Sequence, residues 1–140
     1  MTDRNSSVLD QAAMCDFLTE GHFGRHVCRM RGMYAGRLAA LNDAMRSKLE
    51  GLVELAKTEA GILRVAWLKR LRANRIAQVA ATHHIETIPL DRFAPKTPRP
   101  EALVLGFASY DSNQIRDAVD QLARAFAACT EEPESVATAR

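Results

Sequence analysis

The feature that most constrains this chain is a long stripe of apolar residues that recur every three or four positions. Such spacing predicts one long helix with a single apolar face, which other elements must cover. Gly32 and Gly36 lie inside the pattern and each cost about 1 kcal/mol relative to alanine. Gly51 is expected to end the regular helix slightly before the apolar pattern stops. The stripe consists of Val27, Met30, Tyr34, Leu38, Leu41, Met45, Leu49 and Leu52.

The rest of the sequence predicts shorter helices and strands in mixed order. A helix is expected over Val8–Thr19, followed by a break or tight turn between Gly21 and Gly24. Short segments rich in branched residues predict three strands, and helical spacing predicts one helix after the first strand and another after the third. The strands are expected over Ile62–Leu68, Ile85–Leu90 and Leu103–Ala108, and the helices over Leu71–Thr82 and from Asp111 through Phe126.

These elements predict an α+β fold. Three short strands cannot bury themselves, so we expect a small three-stranded sheet covered by helices on one face and preceded by the long helix. Three prolines predict an irregular loop over Asp91–Glu101, and Asp111 with Gln114 forms a capping-box pattern. We expect residues 1–7 to be disordered, residues 8–128 to form a single small domain, and residues 129–140 to form a loose tail.

Composition excludes several classes of protein. The 140 residues, 47% hydrophobic and 26% charged, fit one globular domain. A net charge of +2 is too small to favour nucleic acid, and the N-terminus lacks the apolar core of a secretory signal. No apolar run approaches the roughly 20 residues that span a membrane. The odd, widely spaced cysteines Cys15, Cys28 and Cys129 favour reduced thiols. We therefore expect a cytoplasmic protein whose segment contacts neither nucleic acid nor membrane.

Three sequence blocks resemble one known family, in the order that the family has them. The blocks are FLTEGHFGRHVCRMRGMYAGRLAAL (17–41), TEAGILRVAWL (58–68) and PEALVLGFASYDSNQIRDAVDQLARAF (100–126), and together they cover most of the chain. They resemble the C-terminal part of the aminotransferase-like domain of the MocR group of GntR-type transcriptional regulators. Those regulators are pyridoxal-phosphate proteins with the fold of aspartate aminotransferase, fold type I.

The resemblance implies the small C-terminal subdomain of that fold, in which the long helix joins the subdomain to a large cofactor-binding domain. It also implies that the family's DNA-binding module and cofactor lysine lie upstream of the matched blocks. The expected partner is therefore the missing large domain or a second copy in a homodimer. A truncated chain and a native start at Met1 both remain open.

A pyridoxal-phosphate enzyme needs a lysine that forms a Schiff base with the cofactor. None of the four lysines lies in the short Ser/Thr-rich strand–loop setting that the resemblance implies for this residue, so we interpret them as surface charges. We expect no covalently bound cofactor in this chain, with pyridoxal phosphate belonging to the parent family. The lysines are Lys48, Lys57, Lys69 and Lys96.

The family fold often has an arginine in its last strand that binds a substrate carboxylate through two parallel hydrogen bonds. By its place in the third block, Val104 occupies that position. Arg99 is close in sequence but belongs to the expected loop. The resemblance therefore carries over no carboxylate-binding residue.

Histidines offer a weak metal-binding pattern. His22 and His26 are four residues apart with Cys28 nearby. Two side chains at this spacing on a helix can bind the same metal ion. Gly24 weakens a helix between them and no carboxylate completes the ligand set, so surface or packing histidines are favoured. His83 and His84 are expected at a polar helix end.

Two further clusters have an ordinary and a functional interpretation. Arg25, Arg29 and Arg31, with His26, could bind phosphate, but a solvated helix face or contacts to a missing domain are favoured. The methionines Met30, Met33 and Met45 could form a partner-binding groove, and plain core is favoured.

The sequence thus predicts no catalytic, cofactor-binding or metal-binding residue. The favoured function is a fragment that resembles the C-terminal subdomain of an aminotransferase-like regulator and has no catalysis of its own. In the parent it would close over the cofactor site. The alternative is a helical interaction module that associates with itself or another protein, because its first helices would expose apolar surface. A small enzyme whose site has no recognisable motif is the third hypothesis.

Overall fold

A computed structural model describes residues 8–57, 61–93 and 99–131. The helices are α1 (Val8–Thr19), α2 (His22–Leu49), α3 (Ala73–Thr82) and α4 (Ser112–Glu131), and a short 3-10 helix covers Leu90–Phe93. The strands are β1 (Val53–Leu55), β2 (Leu63–Leu68), β3 (Ile88–Pro89) and β4 (Ala102–Gly106). Contacts divide the chain into an N-terminal unit, up to Ala35, and a C-terminal unit, from Gly36. The domain boundaries expected from the sequence stay a prediction.

In the N-terminal unit, α1 and the first part of α2 are joined by a tight turn. Gly21 has a positive φ of 73°, which glycine adopts at little cost, and α2 begins at the next residue. The break therefore precedes Gly24, which lies inside α2. None of the residues whose burial is described in this unit is buried, and Val27, Met30 and Tyr34 on the apolar stripe are only half-buried.

The C-terminal unit contains a four-stranded antiparallel sheet in the order β1-β2-β4-β3. The expectation of three strands was wrong, because β1 follows directly on the long helix. Gly51, with a φ of 80°, ends α2, and Val53 then pairs with Leu68 of β2. The apolar pattern continues through Leu52 without marking this change from helix to strand.

One face of the sheet is covered by helices, as predicted. Buried residues of α2, α3 and α4 form a single core cluster with one face of β2 and β4. The strand residues in this cluster alternate, as strand geometry requires. The cluster includes Ala40, Leu41, Met45 and Leu49 of α2, Ala66 and Leu68 of β2, Ile76 and Ala80 of α3, Leu103 and Leu105 of β4, and Ile115, Val119, Leu122 and Phe126 of α4.

The C-terminal end of α3 explains why β3 is shorter than the expected strand Ile85–Leu90. The backbone N–H of His84 donates to Ala81 and that of Ile85 donates to Ala80, the pattern of a Schellman motif. His84 has a φ of 60°, in the left-handed region that this motif needs. Ile85 is thereby used to end the helix and does not begin a strand.

The start of α4 is the predicted capping box. The Asp111 Oδ1 accepts hydrogen bonds from the backbone N–H groups of Asn113 (2.8 Å) and Gln114 (2.9 Å). The Gln114 Oε1 accepts one from the N–H of Asp111 at 2.9 Å. The helix continues to Glu131 and buries Cys129 in the core, three residues beyond the expected boundary at 128. Residues 1–7 and 132–140 lie outside the described ranges.

In the described part of the chain, no helix is both long enough and apolar enough to cross a membrane.

Candidate functional site

The face of the sheet opposite the helices carries the position at which the resemblance implies a carboxylate-binding arginine. Residues directly opposite in antiparallel strands share a face, so Val104 of β4 lies beside Val65 of β2 and Ile88 of β3. Val104 is 7% exposed, yet it lies outside the core cluster that the helices share. We call this surface the open face; it comprises Leu63, Val65, Trp67, Ile88, Ala102 and Val104, with the exposed carboxylate of Glu54 beside Trp67 at its β1 edge.

The chemistry of the open face at Val104 is aliphatic. Both cross-strand neighbours of Val104 are branched hydrocarbons, and a carboxylate needs donors such as a guanidinium to replace its water. Arg99 is exposed in the segment before β4 and lies outside the sheet. The position therefore offers apolar contact, and the absence of a carboxylate-binding residue there stays a prediction.

The described lysines lie on the surface. The Lys48 Nζ forms an ion pair with the Asp120 carboxylate at 3.2 Å, and both side chains are about half exposed. Lys57 and Lys69 are exposed, and Lys96 lies outside the described residues. Schiff-base chemistry requires a neutral amine, which burial favours and full solvation does not. That no lysine here holds the cofactor stays a prediction.

The basic cluster lies in the N-terminal unit, at the start of α2. The Arg25 Nη2 lies 3.0 Å from the His22 Nδ1, and the His22 Nε2 lies 2.8 Å from the Glu20 Oε2. Because a guanidinium only donates, Nδ1 must accept and Nε2 must carry the proton that it donates to Glu20. Phe17 of α1 stacks on the His22 ring, with a centroid distance of 6.2 Å, and meets the His26 ring edge-on.

Part of the cluster's hydrogen-bonding capacity is taken up by its own neighbours. Arg25 and His22 are engaged with each other and with Glu20, which leaves His26 and Arg29 exposed beside a shallow hollow of about 370 Å³. Arg31 is also exposed. The cluster thus combines charge with an aromatic ring, which suits contact with a protein surface as well as with an anion.

Large apolar side chains of the N-terminal unit are also exposed. Six of them between Leu9 and Met33 are exposed, and a partner that covered them would remove this apolar area from water. We call this set the apolar N-terminal surface; it comprises Leu9, Met14, Phe17, Leu18, Phe23 and Met33.

The remaining candidates, the histidines with Cys28 and the methionines, lie in different environments. His22, His26 and Cys28 are all exposed, and the described residues contain no group of three or more His, Cys, Asp or Glu that could hold a metal ion. The absence of a metal site stays a prediction. His83 is the C-cap of α3. Met45 is buried core, Met30 is half-buried and Met33 is exposed, so the methionines form no single groove.

Sequence reasoning missed a cleft in the C-terminal unit. It lies between the turn after α3, the end of β4 and one side of α4, and it encloses about 540 Å³. Its walls come from segments far apart in the chain, such as Leu41, Phe107 and Leu122. No local spacing could have brought these residues together in advance.

Comparison with known proteins gives the chain its relatives. No protein-family model matches it. It is 31% identical over 128 residues to the probable rhizopine catabolism regulatory protein MocR of Rhizobium meliloti. That match covers 91% of this chain and 26% of MocR. It is 28% identical over 123 residues to the uncharacterized HTH-type transcriptional regulator YhdI of Bacillus subtilis. That match covers 86% of this chain and 26% of YhdI. The chain thus spans about a quarter of the length of the curated relatives it matches.

Solved structures give the fold. The structure of LysN, an alpha-aminoadipate aminotransferase from Thermus thermophilus, aligns with a TM-score of 0.78 and 23% identity over 92% of this chain and 33% of that one. A multiple substrate aminotransferase from Thermococcus profundus aligns with a TM-score of 0.74 and 19% identity. This alignment covers 83% of the present chain and 29% of the aminotransferase. The predicted resemblance is confirmed: the chain is similar to MocR-type regulators over most of its length and has the fold of a segment of the aminotransferases.

Proposed function

We propose that this chain is the C-terminal subdomain of a pyridoxal-phosphate-dependent, aminotransferase-like transcriptional regulator, and that it has no catalytic activity on its own. One observation carries the proposal. The regulator MocR matches 91% of the chain and an aminotransferase fold matches 92%, while the chain covers only 26% and 33% of those two proteins.

The described residues do not fit pyridoxal phosphate as a resident cofactor. That cofactor supplies an electron sink to its enzymes, and it needs a Schiff-base lysine, an acid near its pyridine nitrogen and donors for its phosphate. Lys48, Lys57 and Lys69 are exposed, and the open face is aliphatic at Val104. In the parent protein we therefore assign the cofactor to another domain.

The role proposed for this segment is to pack on that domain and to move with it. The apolar N-terminal surface supplies a face that packing would remove from water, at about 25 cal/mol per Å² of apolar area. Subdomain closure over a cofactor site is a known way to exclude water and respond to a ligand. A cytoplasmic location, and the absence of nucleic-acid and membrane partners for this segment, belong to the same proposal.

The test is to mix the purified chain with pyridoxal phosphate, record the visible spectrum, reduce with borohydride and map the products by mass spectrometry. We expect only weak labelling spread over several exposed lysines. Single Lys48→Arg, Lys57→Arg, Lys69→Arg and Lys96→Arg variants are the controls, and each should lower the total only slightly. A stoichiometric adduct that one of these substitutions abolishes would contradict the proposal.

A second candidate, a self-associating interaction module, is favoured by the apolar N-terminal surface alone. Analytical ultracentrifugation of the full chain tests it. A dimer that Leu18→Ser and Phe23→Ser dissociate would support self-association. Phe93→Ser, at another exposed aromatic residue but in the C-terminal unit, is the matched control. A strict monomer at high concentration rules the candidate out.

A further inference from the structure

The cleft in the C-terminal unit has an apolar floor that belongs to the buried core. Its floor residues come from α2, from the end of β4 and from α4, and each of them is at most 8% exposed. Its volume of about 540 Å³ lies within the roughly 300–1,000 Å³ of small-molecule sites. The floor is therefore formed before any ligand arrives; it comprises Leu41, Leu105, Phe107, Ile115 and Leu122.

The rim of the cleft is polar and its fixed charge is negative. Glu86, in the turn after α3, and Asp117, on α4, are its two carboxylates; the lining includes no lysine or arginine, and its two imidazoles belong to His83 and His84. Within the described ranges, neither carboxylate takes part in a hydrogen bond or an ion pair. Gln114, Gln121 and Tyr110 add side chains that can accept hydrogen bonds at the same rim.

One wall of the cleft contains a polar group that the fold leaves unsatisfied. Thr87 is 7% exposed and also borders two neighbouring hollows, and its hydroxyl has no hydrogen-bond partner among the described residues. A buried polar atom without a partner destabilises the fold, because it loses its hydrogen bonds to water and gains none in return. Natural folds keep few such groups, and a bound ligand or water is one physical reason for keeping one.

We propose that this cleft binds a small amphipathic amine, with its apolar body on the floor and its ammonium group near Glu86 and Asp117. The class follows from charge and shape: an ammonium ion gains from two unpaired carboxylates at the rim, and a carboxylate or phosphate ligand is repelled by them. A fully polar ligand would leave the floor uncovered. The proposal goes beyond the function proposed above and does not depend on it, since the cleft lies wholly within the C-terminal unit.

The test is a titration of the full ¹⁵N-labelled chain with phenethylamine, followed by amide chemical shifts. We expect saturable shifts in residues 83–87, 105–107 and 114–122. The neutral isostere 2-phenylethanol should bind at least about threefold more weakly, and 3-phenylpropionate should not bind. The double variant Glu86→Gln/Asp117→Asn should weaken phenethylamine binding by about tenfold, because it removes both carboxylates that could form charge-assisted hydrogen bonds with the ammonium group.

The matched control is Asp120→Asn, which removes a carboxylate of α4 that pairs with Lys48 and does not line the cleft. It should leave the affinity for phenethylamine unchanged. All three carboxylates are at the surface, so the variants are expected to fold, and dispersed amide spectra check this. Absence of saturable shifts, equal binding of the amine and the alcohol, or an undiminished affinity in the double variant would each overturn the proposal.

Discussion

The N-terminal and C-terminal units show that one helical pattern can have two physical outcomes. The apolar stripe of α2 runs through both units with the same spacing. In the C-terminal unit, Leu41, Met45 and Leu49 are buried in the core, whereas in the N-terminal unit Val27 and Met30 are only half-buried. Periodicity therefore predicts that a helix forms and which face is apolar. Whether that face is covered depends on elements that the pattern does not contain.

The two units also differ in what their apolar side chains can do. Buried ones stabilise the fold, and exposed ones are available to contact a partner. Burial of apolar area is the main favourable term in folding, so the C-terminal unit should supply nearly all of the free energy of unfolding. The N-terminal unit keeps apolar area that an additional partner could cover. Substitutions in the two units should therefore have unequal effects.

The largest effect is expected from truncating a core aromatic residue. Phe126 of α4 is 1% exposed, and Phe126→Ala should lower the free energy of unfolding by about 3–5 kcal/mol through lost burial and a cavity. Phe23→Ala in the N-terminal unit, where the ring is 47% exposed, is the matched control and should change it by about 0.5 kcal/mol or less. Urea denaturation followed by circular dichroism measures both. Equal losses would show that the N-terminal unit has a core of its own.

A smaller effect of opposite sign is expected at Thr87, which is buried and polar and lies outside the core cluster. Thr87→Val keeps the shape and removes a hydroxyl that lacks a partner, so the free energy of unfolding should rise by about 1–2 kcal/mol. Thr82→Val, where the exposed hydroxyl donates to the Val79 carbonyl at 2.7 Å, should change it by about 0.5 kcal/mol or less. Thermal denaturation of both variants gives the comparison. A destabilised Thr87→Val would mean that the hydroxyl has a partner after all.

The cap of α4 should contribute less. Asp111→Ala removes the acceptor for two backbone N–H groups and should cost about 1 kcal/mol in urea denaturation. Asp111→Asn retains an acceptor oxygen and should be nearly neutral. A loss of the same size in both variants would assign the effect to the charge of Asp111 instead of its hydrogen bonds.

Sequence reasoning succeeded where a local interaction decides the structure. The box at Asp111 and Gln114 requires only residues three apart, and the end of α2 at Gly51 requires only one residue that tolerates a positive φ. The layering of helices on one sheet face followed from the need to cover short strands. The family resemblance came from ordered blocks that together cover most of the chain.

It failed where a distant partner decides. Val53–Leu55 is a strand because β2 offers a free edge, and its apolar residues also continue the helical stripe. His84 ends α3 in a conformation more usual for glycine, which removed Ile85 from β3. The sequence predicted only that Val104 stands where the family fold often has an arginine. The cleft was not foreseen, because Leu41 and Phe107 meet there only after folding.

The smallest effect should come from a glycine inside the exposed part of α2. A Cβ built at Gly32 meets no atom within 4 Å, and helical glycine is about 0.5–1 kcal/mol less favourable than alanine. Gly32→Ala should therefore slow amide hydrogen exchange in residues 25–35 without raising the urea midpoint of the C-terminal core. Gly51→Ala is the matched opposite, because alanine at a φ of 80° is strained, and it should lower that midpoint. If Gly32→Ala instead shifted the core midpoint, the two units would unfold as one, and the contrast between them would be one of exposure alone.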